Sequence, residues 1–283
     1  MGIDHIGANF GVTVTESVNE AKIDSTTPHP ARRYNYWLGG KDNFAVDRES
    51  GDLIEKNFPT VRLMAVENRG FLRRATTFLT DAGIRQFLDV GTGLPTANNT
   101  HEVAQALAPE SRVVYVDNDP MVLAHARALL TSKPEGRTTY IEADLRGPEK
   151  ILADPVLRGT LDFTQPIGLM LIAVLHFVRD NADAIRVVRT LLDALPSGSY
   201  VAVSHSTVDF ADAATTARYS SLIASGRVDA FPRTAGELGE IFAGLDVVEP
   251  GFVAVSQWRA DAEPEPRPTP AEVSVYGAVA RIP

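Results

Sequence analysis

A chain of 283 residues with 44% hydrophobic and 22% charged residues has the make-up of a folded protein, which excludes a fibrous or wholly disordered chain. It contains no cysteine, so disulfides, thiolate metal sites and cysteine nucleophiles are excluded as well. A formal net charge of -9 argues against nucleic acid as the main partner.

Residues 1–30 mix Thr, Ser, Asn and Pro without periodicity and end in TTPHP, which predicts a flexible or loosely docked extension. MGIDHIGANFGVTVTE lacks the basic region and apolar stretch of a secretory signal, so a cytoplasmic location is expected. Even the apolar run LMLIAVLHFV is soon followed by Arg179 and Asp180, short of the roughly 20 residues a membrane helix needs. No membrane association is expected.

Residues 31–82 form a second segment. YNYWLGGKDNF, residues 34–44, gathers three aromatics, a double glycine and a lysine ahead of the first strand. VRLMAVENRGFLRRATTFLTDA then places apolar residues at helical spacing, interrupted at Gly70, and predicts one or two amphipathic helices.

From residue 83 to 283 strands and helices alternate. The predicted strands are RQFLDV, RVVYVD, TTYIEAD, IGLMLIA and SYVAVSH. Helices are expected at NTHEVAQAL, from Pro120 to Leu130, from Asn181 to Leu195, and over much of Ala211 to Ala243. Continuous apolar strands indicate a parallel sheet covered on both faces, a doubly wound α/β fold. LDVVEPGFVAVSQW and AEVSVYGAVARI are two strand-like segments joined by the charged, Pro-rich RADAEPEPRPTP, and without a crossover helix they must pair antiparallel if they are neighbours.

The ligand edge of such a sheet lies at the strands' C-terminal ends. There FLDVGTGLPT offers Asp89 and the bend Gly91-Thr92-Gly93, the second strand ends in Asp117, and the third ends in Asp144. Glycines permit close backbone approach, a carboxylate at Asp117 suits a ribose diol, and Asp144 beside Leu145 suits the exocyclic amine of adenine. Each also has a plainer explanation: turn glycines, a helix-capping Asp117, and a solvent-facing Asp144. A dinucleotide fingerprint would place a third small residue after the second glycine, where this chain has Leu94-Pro95-Thr96. An acid before the glycines favours a cationic ligand, so a sulfonium with an amino-acid tail, S-adenosylmethionine, suits the site better than NAD.

FLDVGTGLPT, THEVAQ, VVYVDNDPMVLAHARALL and ADLR, with RRYNYWLGGKDNFAVDRE upstream, resemble an actinobacterial S-adenosylmethionine-dependent methyltransferase family formerly described as a domain of unknown function. The resemblance spans roughly residues 28–283. It implies a class I, Rossmann-like fold of seven strands with the last antiparallel. It also implies S-adenosyl-L-methionine as cofactor, with Asp89, Gly91, Thr92 and Gly93 by the methionine tail, Asp117 and Asn118 by the ribose, and Asp144 and Leu145 by the adenine. Tyr34, Tyr36 and Trp37 are then expected on a short lid helix, Gly39 and Gly40 bending the chain back, and Lys41, Asp42 and Asn43 bonding the cofactor or acceptor; the alternative is a helix that merely packs on the core.

His176 and His205 follow the fourth and fifth strands beside the expected acceptor pocket, in the right pKa range for a general base, although the plainer reading of each is a hydrogen-bonded structural histidine. His101 is expected near the first crossover helix's cap, His5 and His29 in the extension, and His125 on a helix surface. No histidine pair has metal-ligand spacing, and neither a G-x-S-x-G elbow nor an Asn-Pro-Pro-aromatic motif is present, so no metal is expected. The expected partner is a small-molecule methyl acceptor at an O or N atom, a secondary metabolite among the candidates, with a homo-oligomer allowed. A cofactor-sensing module without chemistry and an NAD-dependent oxidoreductase are the alternatives.

Overall fold

The computed structural model describes residues 23–129 and 132–283. The first 22 residues of the expected extension, His5 included, and Leu130 at the end of its expected helix lie outside them.

Three helices precede the sheet: α1 (Pro30–Trp37), α2 (Ala45–Asn57) and α3 (Val61–Asp81). Pro30 opens α1, where a missing N–H costs nothing, and α3 runs unbroken through Gly70. The alternating region is β1 (Gln86–Val90), α4 (Thr100–Leu107), β2 (Arg112–Asp117), α5 (Pro120–Leu129), β3 (Arg137–Glu142), α6 (Pro148–Ala153), α7 (Pro155–Thr160), β4 (Gly168–Ile172), a single turn at Leu175–Phe177, α8 (Asn181–Asp193), β5 (Tyr200–Ser206), α9 (Ala213–Ala224) and α10 (Ala235–Ile241). It closes with β6 (Asp246–Val247), β7 (Val253–Ala254), α11 (Pro270–Val273) and β8 (Val275–Arg281).

The sheet order is β3-β2-β1-β4-β5-β8-β6, with β7 also on β8. β1 to β5 are mutually parallel, and β8 runs antiparallel to β5, β6 and β7. This is the doubly wound, mostly parallel sheet with an antiparallel last strand that the sequence predicts. β6 and β7 share one strand position, broken around Glu249-Pro250-Gly251, where Gly251 has φ +84.

Side-chain alternation explains the two covered faces. Leu88, Val90, Val114, Val116, Leu169 and Leu171 join one core with Val187, Val188 and Leu191 of α8. Phe87, Val113, Tyr115 and Met170 face the other way, onto Phe71, Leu72, Ala75 and Leu79 of α3 and onto Trp258. Each of these large side chains contributes roughly 1.5–3 kcal/mol when removed from water. The N-terminal helices are therefore fixed through α3 to the sheet itself.

Two expected segments differ. LDVVEPGFVAVSQW supplies only the short β6 and β7, and AEV of AEVSVYGAVARI is helical because Thr269 and Glu272 form a capping box ahead of β8. β3 stops at Glu142, so Asp144 sits in the following loop rather than closing the strand.

Candidate functional site

The strand order reverses between β1 and β4, and a cavity of about 590 Å³ opens at the C-terminal ends there. The bend after β1 is anchored by the Gly91 amide, which donates to the Val116 carbonyl at 2.8 Å. Gly91 (φ +76) has no room for a side chain: a Cβ would lie 2.1 Å from Val174. Gly93 donates to Asp117 Oδ2 at 2.8 Å, which ties the bend to the end of β2, and the Asp119 amide donates to Asp117 Oδ1 at 3.0 Å.

Asp89 is buried, and its Oδ2 accepts from Thr100 Oγ1 at 2.6 Å. Burial pushes its carboxyl up to about 6, from an ordinary value of 3.8. A buried carboxylate with one hydroxyl partner gains most from a cation. Burial likewise raises Asp117. Asp144 is held down instead, chiefly by Arg146, whose Nε donates to it at 2.9 Å, and Asn118 Nδ2 donates to it at 3.2 Å. Asp89, Gly91, Thr92, Gly93, Asp117, Asn118, Asp144 and Leu145 all line the cavity.

Of the N-terminal residues singled out from the sequence, the cavity receives Tyr34 and Trp37 but not Tyr36, Lys41 or Asn43. Positions 34 and 37 share a helix face, whereas position 36 lies about 200° round from 34. The Tyr34 hydroxyl donates to the Ala65 carbonyl at 3.0 Å and accepts from Asn68 at 2.9 Å, bracing α1 against α3. Tyr36 lies beneath the Arg62 guanidinium and donates to Asp52 at 2.7 Å. Lys41 is exposed, and Asn43 donates to Asn35 Oδ1 at 3.0 Å, so this stretch shapes the loop around Asn35.

The two histidines separate. His176, in the turn after β4, lines the cavity; burial depresses it to about 4, and its Nδ1 accepts from the Ser206 amide at 3.5 Å. His205 does not line the cavity. Its Nδ1 lies 2.8 Å from the Ser206 carbonyl oxygen and its Nε2 lies 2.9 Å from Arg233 Nη1. With both nitrogens engaged and no exposed surface, the geometry gives His205 no path to an acceptor. His101 is also internal, paired with the Tyr115 hydroxyl at 2.8 Å, and His125 stands half-buried on α5 near Asp42. His29, expected in the extension, caps α1 at the cavity wall, its Nδ1 3.1 Å from Asp119 Oδ2.

The residues that sequence reasoning missed come from distant elements. Arg69 lines the cavity, donates to the Ala97 and Asn98 carbonyls at 3.0 Å, and keeps a buried Nε without a partner. Thr96 Oγ1 and Asn68 Oδ1 are likewise buried, cavity-lining and unpartnered. Arg33, on α1, pairs with Asp229 and also keeps an unpartnered Nε. Trp37, Ile54, Phe58, Val61, Met64 and Val228 make the rest of the chamber apolar. A polar edge with a cation-seeking carboxylate thus opens into an apolar room. Among the described residues no cluster of metal ligands is present, and no helix is long and apolar enough to cross a membrane.

Comparison with known proteins gives the same reading. Residues 16–283 match the family model described as S-adenosyl methyltransferase. A DUF574 family protein from Streptomyces avermitilis is similar at 47% identity and a TM-score of 0.86, over 93% of this chain and 100% of that one. A candidate methyltransferase from Thermobifida fusca is similar at 40% identity and a TM-score of 0.82, over 94% of this chain and 99% of the other. No curated protein matches the sequence.

Proposed function

The chain belongs to the S-adenosyl methyltransferase family, whose cofactor is S-adenosylmethionine, and we propose that it methylates an oxygen or nitrogen atom of a small molecule in the cytoplasm. The observation that carries this reading is continuity. One cavity joins Asp89, Gly91 and Asp117 at the sheet edge to Trp37, Phe58 and Tyr219 in the apolar chamber, so cofactor and acceptor share a room.

The residues present fit the cofactor. Asp89 meets the cationic end, and the spare Nε of Arg69 and Oγ1 of Thr96 suit an amino-acid tail. Asp117, already bonded by two amides, keeps further lone pairs for a ribose diol, and Asn118, Asp144 and Leu145 border the adenine. When bound, S-adenosylmethionine supplies a methyl group whose bond to sulfur breaks, with the electron pair staying on sulfur as the acceptor's lone pair forms the new bond.

The protein's own part is alignment and dryness. Helix α1, braced by Tyr34, lines the cavity, and as a cover over the cofactor it would keep away water that stabilises the charged sulfonium. His176 contacts the acceptor. Its Nδ1 faces an amide donor, so the neutral ring carries its proton on Nε2 and presents a donor there.

Incubation with methyl-labelled S-adenosylmethionine and an acceptor library tests this function. Acceptor-dependent release of S-adenosylhomocysteine with label in the product is expected. Tight cofactor binding without turnover across the library would favour a sensor.

A further inference from the structure

The acceptor half of the cavity carries an unusual balance of charge. Two guanidiniums line it among the described residues: Arg218 is exposed and donates to the Thr215 hydroxyl, whereas Arg33 is 5% exposed and sits on α1, with Asp229 on one side and the Ser50 hydroxyl 3.4 Å from Nη1. The Nε of Arg33 is buried with no partner among the described residues, although an unmet donor on a buried cation is costly. Among the described residues Asp229 is the one carboxylate lining this half; its side chain is 47% exposed, and its Oδ1 is already taken by Arg33. The other lining carboxylates, Asp89, Asp117 and Asp144, stand at the cofactor edge.

His176 adds a second donor, and Ser206 Oγ a buried hydroxyl without a partner. Around them the walls are Trp37, Phe58, Tyr219 and Phe231. An amine would meet the donors of Arg33 and His176 and a carboxylate already paired with a cation, whereas an oxygen anion would complete the hydrogen bonding of Arg33.

We infer that Arg33, with His176, holds an acidic oxygen of an aromatic acceptor, so that the acceptor enters the chamber as a phenolate or carboxylate. This rests on the methyltransferase reading above and narrows it to oxygen acids on flat apolar rings. An acceptor that arrives without its proton needs none removed, which matches a site whose histidine offers a donor rather than a lone pair. In a dry cavity an anion beside a sulfonium also gains Coulomb attraction that water would screen.

The test is ligand binding to the protein saturated with S-adenosylhomocysteine, using naphthoate, naphthol and naphthylamine, three probes that share a ring and differ in the polar group. The acidic-oxygen probes are expected to bind at least about tenfold more tightly than the amine. Stronger binding of naphthoate than naphthol assigns a carboxylate, and naphthol binding that strengthens as pH rises toward its own pKa assigns a phenolate.

R33Q is expected to remove the preference with S-adenosylhomocysteine affinity intact. D229N, which frees the guanidinium, is expected to tighten naphthoate binding several-fold and keeps the test decisive if R33Q fails to fold. Equal binding of all three probes, a preference for the amine, or D229N weakening naphthoate would overturn the assignment alone. Failure of S-adenosylhomocysteine to bind would instead remove the methyltransferase reading beneath it.

Discussion

His205 and Arg233 hold each other in the interior: the guanidinium lies 2.9 Å from the imidazole Nε2 and also donates to the carbonyls of Leu175, Val178 and Asp180. The pair fastens the turn that carries His176 to the end of β5. His205→Ala leaves a buried donor unpaired and is expected to lower stability by about 1–3 kcal/mol. Chemical denaturation measures it, and S-adenosylhomocysteine affinity of the folded variant should not change. Loss of turnover with undiminished stability would contradict this structural role.

Asp89 links stability to pH. Its folded pKa of about 6 lies above the ordinary 3.8, so its contribution to apo stability is fully present below 3.8 and is lost as pH rises through about 6. The shift corresponds to about 3 kcal/mol. His176, depressed to about 4 from 6.5, runs the other way, its contribution lost as pH falls through about 4, so only the difference between variants isolates Asp89. Asp89→Asn is expected to match wild type in acid and to exceed it in stability above pH about 6, while binding S-adenosylmethionine at least about tenfold more weakly. Urea midpoints across that pH range, with a cofactor titration, check both halves.

The two bend glycines are not equivalent. Gly93 (φ +69) has open space, so Gly93→Ala should cost only the roughly 1–2 kcal/mol of a left-handed residue. Gly91→Ala adds the collision with Val174 and should destabilise more and abolish cofactor binding. Val174→Ala in the Gly91→Ala background is expected to restore part of the lost stability, as a double-mutant cycle would measure.

Tyr34 and Tyr36 give a matched pair. Tyr34→Phe removes the hydroxyl that joins Ala65 and Asn68 and should cost about 1–3 kcal/mol, whereas Tyr36→Phe, at an exposed contact with Asp52, should stay within about 0.5 kcal/mol. Thermal unfolding of the two variants decides it.

What the sequence disclosed follows from which contacts are local. The apolar strands, Asp89 and Asp117 could be read because the sheet itself places them, whereas Asp144 lies in the loop beyond β3. Tyr36, Lys41 and Asn43 could not be assigned from composition, since helix phase turns Tyr36 outward and Asn35 captures the loop. The pairing of Arg33 with Asp229 was hidden because their elements lie 196 residues apart in sequence. A signal for α3 was present. Val61, Met64, Asn68 and Leu72 follow helical spacing along the cavity, and an asparagine within that apolar stripe marks a polar task.

Calorimetric titration of S-adenosylhomocysteine into the wild-type protein and into Asp117→Ala tests the cofactor assignment most directly. Saturable binding at one site, weakened at least about tenfold by the substitution, is the predicted result. Absence of binding to the wild type, or an affinity unchanged by removing the Asp117 carboxylate, would contradict it.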